Sequence, residues 1–179
     1  MQDVIQRAKA IRSVIFDVDG VLTDGSLFLG DDGQEYKAFH SRDGLGMVML
    51  QQSGVHLAVI TGRESQVVRL RMQSLGVEHV YQGCRDKLPA YENLKQVLDL
   101  PDAAIAYVGD DVVDLPVLKR AGLAIGVADA HPLVCEHVDW LTTAPGGRGA
   151  AREVCELILH AQGRLDALWR TYLDPKISC

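Results

Sequence analysis

The sequence predicts an α/β protein built on a doubly wound parallel sheet. Short apolar runs alternate along the chain with stretches of helical periodicity, the order that repeated βα units produce. These runs are rich in Val, Ile and Ala without clean polar alternation, as expected for strands buried on both faces of a parallel sheet. Charged residues follow several runs directly, which is where open α/β sheets bind ligands.

Each predicted strand is a short apolar segment. The segments are residues 11–17, 55–61, 79–81, 104–109 and 123–127, with 138–142 as a sixth strand at the sheet edge. Residues 26–40 interrupt the alternation, since two strand-like arms flank a GDDG turn and predict a β-hairpin insertion. Asp24, Asp31 and Asp32 are expected to be turn residues.

Helices are predicted between the strands from apolar spacing and from end signals. Asp43 is expected to be the N-cap of the first helix, and Asp111 is a candidate cap for the fourth. The last helix carries one broad apolar stripe and is expected to be continuous. The predicted helices cover residues 44–52, 65–75, 88–99, 112–121 and 150–172.

Bulk properties predict one soluble cytoplasmic domain over residues 1–179. Hydrophobic residues make up 47% and charged residues 23% of the chain, an ordinary globular composition. No apolar run reaches the roughly 18 residues of a membrane span, and the N-terminus has no signal-peptide pattern. The net charge of −6 argues against nucleic acid or an anionic membrane as a partner. Cysteines are expected to be reduced thiols; they are Cys84, Cys135, Cys155 and Cys179.

Reactive side chains follow four of the predicted strands. Because parallel strands end at the same edge of a sheet, these groups are expected to meet there although they are distant in sequence. At the strand ends or in the loops just after them, these groups are Asp17 and Asp19 for the first strand, Thr61 and Arg63 for the second, Lys87 for the third, and Asp110, Asp111 and Asp114 for the fourth.

These residue types predict phosphoryl-transfer chemistry with magnesium. Asp17 and Asp110 can hold Mg²⁺ jointly, which would relieve their mutual repulsion and attract a phosphate group. Lys87 adds positive charge, and the Thr61 hydroxyl can donate to a phosphate oxygen. We expect Asp17 to be the nucleophile, forming an aspartyl-phosphate, and Asp19 to be the general acid and base.

The motifs "DVDGVLT", "ITGR", Lys87 and "GDDVVD", in that order, resemble the four motifs of the haloacid dehalogenase superfamily of phosphatases. The resemblance implies a Rossmann-like fold, Mg²⁺ dependence, and the roles already given to Asp17 and Asp19. It further implies metal ligation by Asp17, Asp110 and the backbone carbonyl of Asp19, and Asp114 matches the position that supports the metal shell.

A second resemblance covers nearly the whole chain. The segments "FDVDGVLTDG", "RDGLG", "YQG", "VADAHP" and "GGRGAAREVCELIL", with the hairpin, resemble the 3-deoxy-D-manno-octulosonate 8-phosphate phosphatase family. This implies removal of phosphate from that sugar acid, a step that feeds lipopolysaccharide synthesis. It also implies a homotetramer in which the hairpins assemble at the centre.

The spacing of the motifs leaves no room for a cap domain of about 50 residues or more. We therefore expect a neighbouring subunit to cover the substrate. Arg63 is the first candidate to bind the substrate carboxylate, because guanidinium groups pair bidentately with carboxylates. Further candidates near the edge of the sheet are Arg71, the hairpin–helix junction of His40, Ser41, Arg42, Asp43 and Gly44, and Arg148 in a flexible glycine-rich stretch.

Three alternatives remain open at this stage. A signalling receiver domain also combines strand-end acids, Thr, Lys and Mg²⁺, although its phosphorylated Asp follows a later strand. A similar domain is fused to acylneuraminate cytidylyltransferases, where it also serves assembly. Within the phosphatases, a nine-carbon sugar acid 9-phosphate is the nearest alternative substrate, and residue types do not separate eight carbons from nine.

Overall fold

The computed structural model describes residues 1–174, which form one six-stranded parallel sheet between helices and a separate two-stranded hairpin. Cys179 lies outside the described residues. The strands are β1 (Ser13–Phe16), β2 (Phe28–Leu29), β3 (Glu35–Tyr36), β4 (His56–Ile60), β5 (His79–Tyr81), β6 (Ile105–Gly109), β7 (Leu123–Gly126) and β8 (Trp140–Leu141). β2 and β3 pair antiparallel as the hairpin.

Helices connect these strands, as the alternation of the sequence predicts. In chain order they are α1 (Gln2–Ala10), α2 (Ser41–Gln52), α3 (Gln66–Ser74), α4 (Leu88–Leu98), α5 (Leu115–Leu118), α6 (Pro132–Cys135), α7 (Ala150–Ala161) and α8 (Leu165–Leu173). Two 3₁₀ turns, Asp102–Ala104 and Val112–Asp114, precede β6 and α5.

The order of strands in the sheet places the future site at its centre. The order is β5-β4-β1-β6-β7-β8, so the chain winds outward from β1 in one direction and then from β6 in the other. β1 and β6 are neighbours, with Phe16 paired to Val108. This pair is the topological switch point, where doubly wound sheets open a crevice for ligands. The predicted fold class is confirmed.

Two apolar layers cover the sheet because successive strand residues face opposite sides. Val14 and Phe16 of β1 pack with α1, α2, α3 and α7 on one face, whereas Ile15 packs with α4, α5 and α6 on the other. Both faces are buried, which explains why the strand sequences lack polar alternation. The sheet is therefore rigidly held, and its carboxyl edge can position side chains accurately.

The hairpin lies within the predicted segment 26–40, and its turn is built by Asp32, whose Oδ1 accepts a hydrogen bond from the Gln34 amide. Between β1 and β4 the described chain contains only this hairpin and α2, and between β4 and β5 it contains only α3. Neither insertion point carries a cap domain.

Three helix predictions need correction. α2 begins at Ser41 with His40 as its N-cap, so the prediction of Asp43 as N-cap was wrong. The predicted continuous helix 150–172 is divided into α7 and α8, because Gly163 adopts a left-handed backbone with φ of 68°. The stretch 112–121 is a 3₁₀ turn followed by the short α5. Asp111 does cap that turn, as expected, by accepting a hydrogen bond from the Val112 amide.

None of the helices within residues 1–174 has the length and apolar character that a bilayer span requires. Cys84, Cys135 and Cys155 are free thiols.

Candidate active site

A pocket of about 380 Å³ opens at the carboxyl edge of the sheet. It combines carboxylates, cations and a hydroxyl group from four strand ends, as the motif spacing predicts. Its walls are formed by Asp17, Asp19, Thr61, Gly62, Arg63, Cys84, Arg85, Lys87, Asp110, Asp111 and Val113. The structure thus brings together residues that span nearly a hundred positions of sequence.

At the floor of the pocket, Asp17 directly follows β1 and is buried. Its Oδ1 accepts a 2.7 Å hydrogen bond from the Val18 amide, and its Oδ2 lies 2.8 Å from Lys87 Nζ. Lys87, itself buried, is the residue before α4, so the start of that helix aims the ammonium group at β1. The charge of each group favours the ionised form of the other, whereas their burial opposes it.

Asp114 lies behind this pair and is saturated with donors. Its Oδ1 accepts hydrogen bonds from Lys87 Nζ at 2.7 Å and from Tyr107 Oη at 2.6 Å. Its Oδ2 accepts from the amides of Asp110 at 3.1 Å and Asp111 at 3.3 Å. Four donors on one buried carboxylate identify Asp114 as an orienting group that aims Lys87 and the loop after β6.

Among the four acids that line the pocket, burial and repulsion between carboxylates raise the pKa values of Asp17 and Asp110. Burial, together with the carboxylate of Asp114, raises the pKa of Asp17 to about 6 against the opposing charge of Lys87. Burial and the neighbouring carboxylates of Asp17, Asp114 and Asp111 raise the pKa of Asp110 to about 8. Burial alone would lower the pKa of Lys87, but the charges of Asp17 and Asp114 raise it.

These residues fit a divalent cation. Carboxylate oxygens of Asp17, Asp110 and Asp114 all lie within 4.8 Å of one another, and Asp110 Oδ1 is buried with no hydrogen-bond partner. Three carboxylates against the single ammonium group of Lys87 leave two uncompensated negative charges. A hard cation such as Mg²⁺ would satisfy both the charge and the orphaned oxygen. Asp114 already accepts four hydrogen bonds, whereas Asp17 contacts two donors and Asp110 Oδ1 none, so Asp17 and Asp110 keep lone pairs available for a cation.

Close backbone packing holds the loop after β1 against Asp110. Gly20 has a φ of 90°, and a Cβ there would collide with the Asp110 carboxylate. A Cβ on Gly146 would collide with the carbonyl oxygen of Gly20, and the Gly147 amide donates to Val21 O at 2.9 Å. The glycine-rich stretch that was expected to be flexible is therefore packed tightly beneath the catalytic loop.

Asp19 lies on the side of the pocket nearest the hairpin. Its Oδ1 accepts from Lys37 Nζ, and its Oδ2 is 3.9 Å from Arg63 Nε. Lys37 Nζ and Arg63 Nη2 also lie 3.2 Å and 3.5 Å from Glu35 Oε1. Burial alone would raise the pKa of Glu35, but a hydrogen bond from Ser65 and the charges of Lys37 and Arg63 lower it. Two acids and two cations thus form a mixed cluster between hairpin and pocket.

Thr61 is buried directly after β4, and backbone hydrogen bonds fix it on both sides. Its amide donates to Tyr81 O at 2.9 Å, and its carbonyl accepts from the Cys84 amide at 3.0 Å. Arg63, two residues later, is 47% exposed and reaches over the pocket. This local geometry suits a hydroxyl donor at the floor of the pocket and a partly exposed cation at its rim.

The remaining predicted substrate residues lie elsewhere in this subunit. His40, Asp43, Gly44 and Arg71 line a separate small cavity between α2 and α3. Ser41 and Arg42, in the first turn of α2, are exposed and do not line the pocket around Asp17. Arg71 lies 5.9 Å over the Phe39 ring, and a Cβ on Gly44 would collide with its guanidinium group.

Asp43 and Arg148 both make contacts within the subunit. Asp43 Oδ1 accepts from the Arg152 amide at 2.8 Å, and its Oδ2 accepts from the Gly149 amide at 3.2 Å. It therefore ties α2 to the N-terminus of α7 and points away from the pocket. Arg148 Nη2 lies 3.3 Å from Asp24 Oδ2, at the outer side of the catalytic loop. Their predicted contacts with substrate stay predictions.

Sequence reasoning missed three residues of this site. Lys37 and Glu35 flank Tyr36 in "EYK", and strand alternation would have placed their charges on one face. Tyr107 stands in the otherwise apolar strand "IAYVG", and a buried tyrosine hydroxyl needs a partner. Neither the charge alternation in "EYK" nor the tyrosine in "IAYVG" indicates by itself which residue becomes the hydrogen-bond or ion-pair partner.

Comparison with known proteins assigns the family. A model of haloacid dehalogenase-like hydrolases matches residues 79–153. An Escherichia coli K12 protein named 3-deoxy-D-manno-octulosonate 8-phosphate phosphatase KdsC is 49% identical over 164 residues, which cover 92% of this chain and 87% of that protein. The chain belongs to the haloacid dehalogenase-like hydrolase family.

Solved structures of haloacid dehalogenase-like hydrolases share the whole architecture. A probable YrbI family phosphatase from Pseudomonas syringae superposes with a TM-score of 0.96 at 51% identity, covering 97% of this chain and 99% of that one. A 3-deoxy-D-manno-octulosonate 8-phosphate phosphatase from Moraxella catarrhalis, solved with a magnesium ion, a phosphate ion and a KDO molecule, gives 0.94 at 44% identity, covering 96% and 99%. Both predicted resemblances are confirmed at the level of family and fold.

Proposed function

We propose that this protein is a Mg²⁺-dependent phosphatase that removes phosphate from 3-deoxy-D-manno-octulosonate 8-phosphate, in lipopolysaccharide sugar biosynthesis. The observation that carries the proposal is the meeting of Asp17, Lys87 and Asp110 in one pocket at the switch point of the sheet. The relatives that bear this name, and the one solved with magnesium, phosphate and KDO, supply the substrate class.

In the first half-reaction, an oxygen of Asp17 attacks phosphorus as the bond from phosphorus to the sugar oxygen breaks. Asp19 gives its proton to the departing oxygen, so the sugar acid leaves as a neutral alcohol at that position. Lys87 stays 2.8 Å from the attacking carboxylate and offsets the charge of the incoming phosphate. The Thr61 hydroxyl donates to a phosphate oxygen.

In the second half-reaction, Asp19 takes a proton from water, whose oxygen forms a bond to phosphorus as the bond from phosphorus to Asp17 breaks. The products are inorganic phosphate and the regenerated carboxylate. Asp17 and Asp110 would hold the magnesium ion, which would supply positive charge near the phosphate group and offset charge that develops in transfer. Asp114 keeps Lys87 and the loop after β6 in position by accepting hydrogen bonds from both.

Arg63 is proposed to bind the substrate carboxylate, since it lines the pocket and is half exposed. The other predicted contacts, His40, Ser41, Arg42, Asp43, Gly44 and Arg71, do not line this pocket, so contact with substrate would have to involve a neighbouring subunit's pocket.

A homotetramer is proposed because the hairpin carries exposed apolar side chains. Leu27, Phe28, Leu29 and Tyr36 all face solvent in the single subunit, which is typical of a surface covered by assembly. Analytical ultracentrifugation tests this, and a fully active monomer would contradict it. The cytoplasm is the proposed compartment, because Cys84, Cys135 and Cys155 are unpaired thiols.

The deciding experiment is a screen of phosphate release with Mg²⁺ across sugar phosphates with and without a carboxylate. The eight-carbon sugar acid 8-phosphate should be turned over best, above the nine-carbon 9-phosphate. The receiver-domain alternative is not favoured, because Asp17 follows the first strand and the named relatives are phosphatases. Absence of turnover on every sugar phosphate would contradict the proposal.

A further inference from the structure

Lys37 is a buried cation whose partners are two carboxylates at the edge of the pocket. It follows β3 directly, and its side chain is 0% exposed. Its Nζ donates to Asp19 Oδ1 and lies 3.2 Å from Glu35 Oε1. Burying an ammonium group is costly unless it is paired, so the two carboxylates offset the cost of burying Lys37.

The hairpin presents this cation because of strand alternation. Glu35 and Lys37 flank Tyr36, so their side chains point to the face opposite the tyrosine. Tyr36 is 59% exposed and pairs with Phe28 on the outer face. The charged inner face is thereby turned towards Asp19, and the insertion becomes part of the wall behind the pocket.

We propose that Lys37 is a positioning residue of phosphoryl transfer, holding the Asp19 carboxyl group where it exchanges protons with the leaving oxygen and with water. This inference rests on the proposed function and adds a residue to it. Lys37 is not among the residues that line the pocket, whereas its partner Asp19 is, so we assign its effect to the contact with Asp19. Glu35 adds a second negative charge beside Lys37.

Positioning is needed because Asp19 has little else to hold it. It is followed by Gly20, whose backbone is in the left-handed region, and its side chain is 21% exposed. Its other charged neighbour is Arg63, at 3.9 Å and half exposed. A general acid works only within hydrogen-bond reach of the proton acceptor, so a freely rotating Asp19 would lose most of its effect.

The test is the dependence of rate on the leaving group. For Lys37→Met, kcat/KM for a simple alkyl phosphate should fall about 100-fold, whereas 4-nitrophenyl phosphate, whose leaving group needs little protonation, should lose less than about fivefold. Lys119→Met, at an exposed position on the far end of α5, is the matched control and should leave both rates unchanged. Equal losses on both substrates, or no loss, would overturn the proposal.

A double-mutant cycle provides the second readout. In an Asp19→Asn background, Lys37→Met should cost no more than about twofold further on the simple alkyl phosphate, against about 100-fold in the wild-type background, because its route of action is gone. A full additional loss would show that Lys37 acts independently of Asp19. If Lys37→Met does not fold by circular dichroism, Lys37→Gln replaces it in both experiments, with the same direction of effect expected.

The proposed function fails separately from this inference. If Asp17→Asn turned over substrate at the wild-type rate, the phosphatase mechanism itself would be contradicted. An inactive Asp17→Asn together with a uniform loss in Lys37→Met would instead remove only the positioning role.

Discussion

Tyr107 and Asp114 form a 2.6 Å hydrogen bond in the core directly beneath the pocket. Both side chains are fully buried, and burial together with the charge of Asp114 raises the pKa of Tyr107 far above its ordinary value. The phenol is therefore a permanent donor that fixes the carboxylate orienting Lys87. Tyr107 is thus connected to the active site through two hydrogen bonds, one from its hydroxyl group to Asp114 and one from Lys87 to Asp114.

Tyr107→Phe should lower the free energy of unfolding by about 1–3 kcal/mol, because a buried carboxylate loses a donor. It should also reduce kcat/KM several-fold, since Asp114 no longer holds Lys87 firmly. Urea denaturation and steady-state kinetics measure the two effects. Tyr91→Phe is the matched control: Tyr91 Oη donates to Asp102 at 2.7 Å, away from the pocket, so activity should be unchanged. Equal activity losses in both variants would contradict the connection to Lys87.

Asp17→Asn should reduce turnover by at least about 10³-fold, because an amide cannot form the phospho-enzyme. The fold should persist, since the substitution removes a charge that burial destabilises. Phosphate release and thermal melting check both points. Asp32→Asn, in the exposed hairpin turn, should behave like the wild type. Near-normal turnover by Asp17→Asn would exclude covalent catalysis by this residue.

Magnesium should stabilise the protein more at pH 8 than at pH 6. The folded pKa values of Asp110, about 8, and Asp17, about 6, are raised above those of unfolded chains. The metal-free fold therefore binds more protons than the unfolded state, and these groups lower its stability as pH rises from about 4 to 8. Magnesium displaces the protons, so binding tightens over the same range.

Thermal melting with EDTA or Mg²⁺ at the two pH values measures this difference. Asp110→Asn should remove most of the response to Mg²⁺. A response of the same size in wild type and Asp110→Asn would place the metal elsewhere.

Arg63→Ala should lower kcat/KM for the sugar acid phosphate by about 10- to 100-fold, because the charge-assisted pair between Arg63 and the substrate carboxylate is lost. A simple alkyl phosphate, which has no carboxylate, should lose much less. Arg69→Ala, an exposed arginine of α3 outside the pocket, is the control. Equal loss on both substrates would instead make Arg63 a phosphate ligand.

Asp43→Ala should destabilise the fold by about 2 kcal/mol, because the amides of Gly149 and Arg152 at the start of α7 lose their acceptor. Burial raises the pKa of Asp43, but those two hydrogen bonds oppose the shift. Chemical denaturation measures the loss. KM for the sugar acid phosphate should stay within about twofold if the role is structural, and a large rise in KM with unchanged stability would restore Asp43 as a substrate contact.

Motif order was enough to predict where the main groups of the site meet. Asp17, Thr61 and Asp110 each follow an apolar strand, and parallel strands end at one edge, so their convergence required no knowledge of packing. The hairpin was predictable for a similar reason, since GDDG between two strand-like arms is a local signal. Local patterns of this kind are fixed by neighbouring residues alone.

Only the tertiary structure decided how these groups are supported and what the other polar residues do. Lys37 reaches Asp19 across 18 positions, and Asp43 reaches the start of α7 across more than 100, so no periodicity records either contact. Likewise, the apolar stripe predicted over residues 150–172 is divided by the break at Gly163. Leu165 and Leu168 of α8 still pack on the core, whereas Trp169 and Tyr172 are exposed. The sequence by itself thus determined the chemistry of the carboxyl edge, whereas long-range packing assigned each buried charge its partner. The reason is that a buried charge is satisfied by whatever the folded chain brings near it in space.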